Sequence, residues 1–193
     1  MSAADRGIRC FAAVPLEPRL AAAVVSGTSA LRASAAAVKW VEIENLHFTL
    51  KFLGEIPEPR VEAARRGVGR AVSGAAPFTL SLRGAGCFPS SGPPRVVWVG
   101  LSHGIDALAG LAARVEKELA REGFPGERRA FTPHLTLGRV RNPAGSGSLK
   151  AGVERLRETD FGAMEVDQVS LMMSRLTPEG PVYSPIEEWN LQG

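Results

Sequence analysis

The sequence predicts an α+β fold of two pseudo-symmetric lobes, each a mainly antiparallel sheet with helices on its outer face, forming a central cleft. Three observations carry this. Strand-like and helix-like segments alternate in mixed order. They recur at a shared offset. The recurrence includes two short strands of the pattern His, any residue, Thr, Leu, at His47-Phe48-Thr49-Leu50 and His134-Leu135-Thr136-Leu137. Position 134 lies 87 after position 47, and other elements repeat at that spacing.

The first strand of each half is Arg9 to Val14 and, 87 residues on, Val96 to Leu101. Helices follow. Glu17 to Arg32 is rich in Ala and Leu, and Ile105 to Glu122 places Leu108, Leu111, Ala112, Val115 and Leu119 at helical spacing, with Gly123 as the stop. The His-Thr strand comes next. A second helix runs from near Pro59 to about Val72, its counterpart from Ser148 to Arg157. The alternating run Phe78 to Arg83 and its partner Glu165 to Ser170 close the halves as strands. The Gly/Pro/Ser stretch Phe88 to Pro94 joins the halves, Asn142 to Gly147 reads as a flexible loop, and a last strand lies between Pro181 and Leu191. The expected organisation is one bilobal domain over residues 1–193, with repeats at about 8–87 and 95–175 and a closing strand at 181–191.

Composition bounds the function classes. With 45% hydrophobic and 22% charged residues the chain can build a packed core. A net charge of +3 suits an anionic ligand. Cys10 and Cys87 have neither zinc-site spacing nor the number a disulfide framework needs, so they read as two buried thiols in a reducing compartment. Met1 to Arg9 has no apolar signal core and no run reaches membrane-spanning length, so a soluble cytoplasmic protein is expected.

Strand alternation puts His47, Thr49 and Lys51 on one face, and Phe48, Leu50 and Phe52 on the other. In the second motif His134, Thr136 and Gly138 share a face, with Leu135, Leu137 and Arg139 opposite until the strand ends or twists. Each strand thus offers apolar residues to a core and a His-Thr pair to a cleft. Cleavage of a phosphodiester needs one group to take a proton from the entering oxygen and another to give one to the departing oxygen. Histidine does either near neutral pH. Two histidines related by a two-fold axis stand on opposite sides of a phosphate, and the Thr49 and Thr136 hydroxyls can hold its non-bridging oxygens. No Asp/Glu/His cluster has ligand spacing, so no metal and no cofactor are expected. A single His-any-Thr copy on a strand reads as structural; the paired copies hold two of the chain's three histidines. His103, in the turn-like Ser102-His103-Gly104, reads as exposed and inert. Arg139, followed by Arg141, could bind phosphate or stack on a base, or stand solvated at a strand end. Lys51 reads most simply as an exposed rim lysine, Trp40, Trp98, Phe11 and Phe52 as core, and Arg65-Arg66 and Arg128-Arg129 as solvated faces.

These segments resemble the two-histidine phosphoesterases, specifically the RNA 2′,3′-cyclic phosphodiesterases also known as 2′-5′ RNA ligases. The resemblance covers nearly the whole chain. Arg9-Cys10-Phe11-Ala12-Ala13-Val14-Pro15 is similar to the family's opening strand, with Cys10 and Ala12 in place of bulkier residues. Trp40 and the run Glu44 to Gly54 are similar to its first signature, Phe131 to Arg139 to its second, and Ser174-Arg175-Leu176 with Gly180 to Tyr183 to its closing segment. The resemblance implies roles that symmetry leaves open: His47 as proton donor to the leaving 3′ oxygen, His134 as proton acceptor from water, and Arg139 near the nucleotide. It implies a 2′-phosphomonoester product, with 2′-5′ ligation as the reverse chemistry. The expected partner is RNA ending in a 2′,3′-cyclic phosphate, and the protein is expected to be a monomer because the repeat already supplies the symmetry of a dimer. Two alternatives stand beside this reading. One is a non-catalytic nucleotide- or RNA-end-binding module, which retention of both histidines and both threonines disfavours. The other is a phosphodiesterase for a small cyclic nucleotide or an ADP-ribose cyclic phosphate.

Overall fold

A computed structural model describes residues 7–33, 37–142, 146–178 and 180–192. The strands are β1 (Gly7–Pro15), β2 (Ala37–Trp40), β3 (His47–Pro57), β4 (Phe78–Phe88), β5 (Val96–His103), β6 (Leu135–Asn142), β7 (Asp160–Val166), β8 (Gln168–Leu176) and β9 (Pro181–Asn190). The helices are α1 (Pro18–Gly27), α2 (Ser29–Arg32), α3 (Val61–Val72), α4 (Ile105–Arg121) and α5 (Ser146–Arg155).

Two sheets form, in the orders β3-β1-β8-β9 and β2-β6-β5-β4-β7, and every pairing is antiparallel. The repeat lies at the centre of each sheet: β1 is flanked by β3 and β8, and β5 by β6 and β4. The third strand of each half therefore sits in the other half's sheet, where a simpler plan gives each half a sheet of its own. The reason is local. The connection after Phe88 is short enough for β4 to turn back on β5 as an antiparallel neighbour, and Arg95 N–H donates to the Phe88 carbonyl at 2.7 Å. Symmetry then places β8 beside β1.

Most elements stand where their sequence patterns put them, and the departures have visible causes. The expected helix Glu17 to Arg32 breaks after Gly27. Thr28 Oγ1 donates to the Val24 carbonyl at 2.7 Å, so its side chain competes with the helical ladder. Gly27 also lies so close to the Phe161 ring that a Cβ there would come within 2.9 Å of it. The alternating run Glu165 to Ser170 holds the end of β7 and the start of β8, because the chain passes from one sheet to the other at Asp167. Helix α3 follows a 3-10 turn at Glu58–Arg60. The loop expected at Asn142 to Gly147 falls partly on residues 143–145, outside the described residues; Ser146 already begins α5.

Helix α4 buries Leu108, Leu111, Ala112, Val115 and Leu119, as its spacing predicts, and ends at Gly123 with φ 78°. It packs on α3, whose Gly67 lets the Leu119 side chain approach. Arg66 and Arg70 of α3 pair with Glu118 and Glu122 of α4 at 2.7–3.0 Å. Arg65 pairs with Glu62 and with Glu187 of β9. Arg65 and Arg66 thus lie on a solvated face, 42% and 52% exposed, and form ion pairs between elements there. Cys10 is buried and Cys87 half-buried. Phe11 is fully buried, but on the face of β1 away from the main core, where Cys10, Ala12 and Val14 point.

Candidate active site

The two motif strands carry the same irregularity. On β3, Thr49 stands opposite Ala13 and Lys51 opposite Ala12, so Leu50 is an extra residue. On β6, Thr136 stands opposite Trp98 and Gly138 opposite Val97, so Leu137 is extra. A bulge of this kind bends the strand and reverses the alternation beyond it. Simple alternation placed Lys51 beside His47 and Thr49, and Phe52 and Arg139 on the opposite faces. The bulges invert this. Phe52, opposite Phe11, and Arg139, opposite Val96, line the same cleft as Thr49, His134 and Thr136. Lys51 is 6% exposed and pairs with Glu116 of α4 at 2.5 Å, so it is a buried ion-pair member and not a rim lysine.

The cleft has a volume of about 1160 Å³. His47 reaches the cleft's lining through Thr49, whose hydroxyl lies within hydrogen-bond distance of its ring. Both histidines are held the same way, by the carbonyl two residues earlier: His47 Nδ1 donates to Asn45 O at 2.6 Å, and His134 Nδ1 to Thr132 O at 2.7 Å. A carbonyl oxygen only accepts, so Nδ1 carries the hydrogen in each ring and Nε2 is the nitrogen free for proton transfer. His47 Nε2 lies 3.0 Å from Thr49 Oγ1.

The surroundings break the symmetry. His47 lies 4.8 Å from the Phe11 ring and edge-on to Tyr183 at 5.4 Å, whereas His134 meets Phe88 edge-on at 5.1 Å. Burial lowers the His47 pKa below the ordinary histidine value, opposed by its hydrogen bond to the Asn45 carbonyl. Burial raises the Tyr183 hydroxyl, opposed by the positive charges of Arg139 and Arg9. Arg9 also lies over the Phe52 ring, 5.7 Å from its centroid. At position 52 the first half carries an aromatic ring; at the corresponding position 139 the second carries a guanidinium. His47 is thus packed between Phe11 and Tyr183, whereas His134 meets one ring, Phe88, and its strand carries Arg139 into the cleft. His103 is exposed in a shallow depression at the start of α4, away from this cleft.

Phe52, Phe88, Tyr183 and Arg9 were not singled out for the site from the sequence. The bulges hid Phe52. Tyr183 arrives from β9, across β8, and no local pattern announces such a neighbour. The one available signal was that 52 and 139 are separated by the same 87 positions as the two histidines. Among the described residues no three His, Cys, Asp or Glu side chains gather in a metal-binding cluster, and no helix is long and apolar enough to cross a membrane.

The model of the 2′-5′ RNA ligase superfamily matches residues 17–177. The RNA 2′,3′-cyclic phosphodiesterase of Methanothermobacter thermautotrophicus is 39% identical over 184 residues, which cover 95% of this chain and 99% of that protein. Among solved structures, the protein TT0787 of Thermus thermophilus superposes with a TM-score of 0.76 at 35% identity, over 96% of this chain and 98% of that one. E. coli LigT complexed with 3′-AMP superposes with a TM-score of 0.77 at 26% identity, over 98% of this chain and 100% of the other.

Proposed function

The chain belongs to the 2′-5′ RNA ligase superfamily, and from that premise we propose that it hydrolyses RNA 2′,3′-cyclic phosphodiester ends to 2′-phosphomonoesters. The observation that carries the reading is the pair of His-Thr motifs, each ring locked through Nδ1 and each leaving Nε2 for proton transfer. In the proposed step His134 Nε2 takes a proton from water, and the water oxygen bonds to phosphorus. The bond from phosphorus to the 3′ oxygen breaks, and His47 Nε2 gives that oxygen its proton. The Thr49 and Thr136 hydroxyls donate to the non-bridging oxygens, where charge accumulates. Arg139 holds the nucleotide. Acid, base and donors are all side chains, so the reaction runs without a metal or cofactor. Ligation through a 2′-5′ linkage is the same step with a 5′ hydroxyl of a second RNA in place of water: its oxygen bonds to phosphorus, its proton goes to His134, and the 3′ oxygen leaves with the proton of His47.

The donor role of His47 is what the resemblance to the family implies. Burial favours the neutral ring in the empty site, so the donor role rests on the substrate's own negative charge to load the proton when the cleft is filled. One chain supplies both histidines, which supports a monomer with both sheets working as one bilobal domain; cytoplasmic residence accords with the reduced thiols.

The test is incubation with RNA ending in a 2′,3′-cyclic phosphate, with the product's phosphate position mapped by phosphatase and nuclease digestion and mass spectrometry. A 2′-phosphate is expected. A 3′-phosphate would reverse the leaving-group assignment, and no turnover would leave a binding module.

A further inference from the structure

The segment Pro125 to Pro133, which delivers His134, has no helix or strand. Among the described residues, its hydrogen bonds to the fold outside itself and His134 run through two side chains. Lys51 Nζ donates to the Pro125 carbonyl at 2.8 Å, and Glu116 Oε1 accepts the Glu127 N–H at 2.8 Å. The two side chains are joined to each other through Glu116 Oε2 at 2.5 Å. Lys51 stands on β3 two residues after Thr49, so the pair spans from the strand of the first motif, by way of α4, to the approach of the second. The Lys51 side chain is only 4% exposed.

The Glu116 side chain is 33% exposed, so only the lysine is fully desolvated; that desolvation offsets much of the pair's attraction, and such a pair is a poor device for stability. It does fix geometry. Its counterpart position in the other half is Gly138, where Val38, the Lys39 backbone and Trp40 of β2 fill the space. The clamp therefore exists on one side only, opposite a loop that lacks backbone pairing of its own.

We propose that Lys51 and Glu116 are positioning residues: they hold the approach loop of His134 against the strand that carries His47, and so set the alignment of the two imidazoles across the cleft. Both line the cleft, but their hydrogen bonds run to each other and to the loop, not to either histidine or threonine of the motifs. This rests on the two-histidine reading of the site.

The test compares Lys51→Met/Glu116→Leu, Glu116→Gln and Lys51→Arg with wild type. The double variant is expected to melt near the wild-type temperature, yet to lose about tenfold to a hundredfold in kcat with KM nearly unchanged, the cost of a small misplacement. Glu116→Gln keeps an acceptor for Glu127 N–H, and Lys51→Arg keeps a cation; both should recover part of the loss. If the double variant fails to fold, Glu116→Ala against Glu116→Gln carries the same comparison.

A second readout uses inorganic phosphate as the probe and the two imidazole resonances in NMR. In wild type both should shift with phosphate; in the double variant His47 should shift and His134 respond much more weakly. A folded double variant with wild-type kcat, or with both imidazoles responding as in wild type, would overturn the clamp alone. Failure of either imidazole to respond in wild type would overturn the clamp together with the two-histidine site beneath it.

Discussion

His47 is enclosed by Phe11 and Tyr183 and hydrogen-bonded on both ring nitrogens, which ties its protonation to folding as well as to reaction. Its folded-state pKa lies below the unfolded value of 6.5. The unfolded chain therefore binds the proton first as pH falls, and the stability His47 contributes above pH 6.5 is lost as pH drops through the lowered pKa. Wild type should lose more melting temperature between pH 7.5 and pH 5 than His47→Gln does; equal losses would remove burial as the cause. In turnover, His47→Ala or His134→Ala should cost on the order of 10²–10⁴ in rate, Thr49→Val or Thr136→Val less, and His103→Ala almost nothing. A substrate with an activated 3′ leaving group should rescue His47→Ala far more than His134→Ala, since water must still be activated in the latter; equal rescue would undo the assignment of donor and acceptor. Residue identity at these positions was legible from the sequence because a repeated four-residue pattern survives any uncertainty about element edges. The environments of Lys51 and Phe52 were not, because a bulge changes which way a side chain points without leaving a mark in local composition.

At the scale of elements, the paired bulges at Leu50 and Leu137 bring Phe52 and Arg139 into the cleft. Arg139→Ala removes a charged donor, typically a loss of about 1.5–3 kcal/mol, so KM should rise roughly tenfold to a hundredfold with a smaller change in kcat. An unchanged KM would return Arg139 to a solvated strand end. The residue after the second bulge is Gly138 for a reason of space: a Cβ there would lie 2.7 Å from Val38 Cγ1 and 3.0 Å from the Lys39 carbonyl. Gly138→Ala should therefore overpack the β2–β6 contact by about 1–3 kcal/mol, a drop in Tm on the order of 2–12 °C. Helix α4 and strands β1 and β5 were legible because their periodicity is long or their apolar run unbroken. The break at Thr28 and the crossing at Asp167 were less so. The first combines the Thr28 hydroxyl with the Phe161 ring packed on Gly27, and the second follows the change of sheet.

At the scale of the molecule, each half lends its third strand to the other half's sheet. Neither half then holds a complete sheet, although the sequence repeat suggests two self-contained lobes; a repeat of elements does not record which copy each strand pairs with. Fragments divided in the 89–94 connection should fail to fold separately, by circular dichroism, and should regain structure and turnover when mixed. A folded isolated half would show the exchange to be dispensable. The exchange also joins the two sheets that carry the motifs, and the proposed function requires one imidazole from each sheet to face one phosphate. The direct test of that claim is the turnover rate of a 2′,3′-cyclic-phosphate RNA in excess chelator, measured for wild type, His47→Ala and His134→Ala. Undiminished turnover by wild type and loss of at least about a hundredfold in each variant is the predicted result. Loss of wild-type activity in chelator with recovery on adding a divalent ion, or a histidine variant that turns over like wild type, would contradict it.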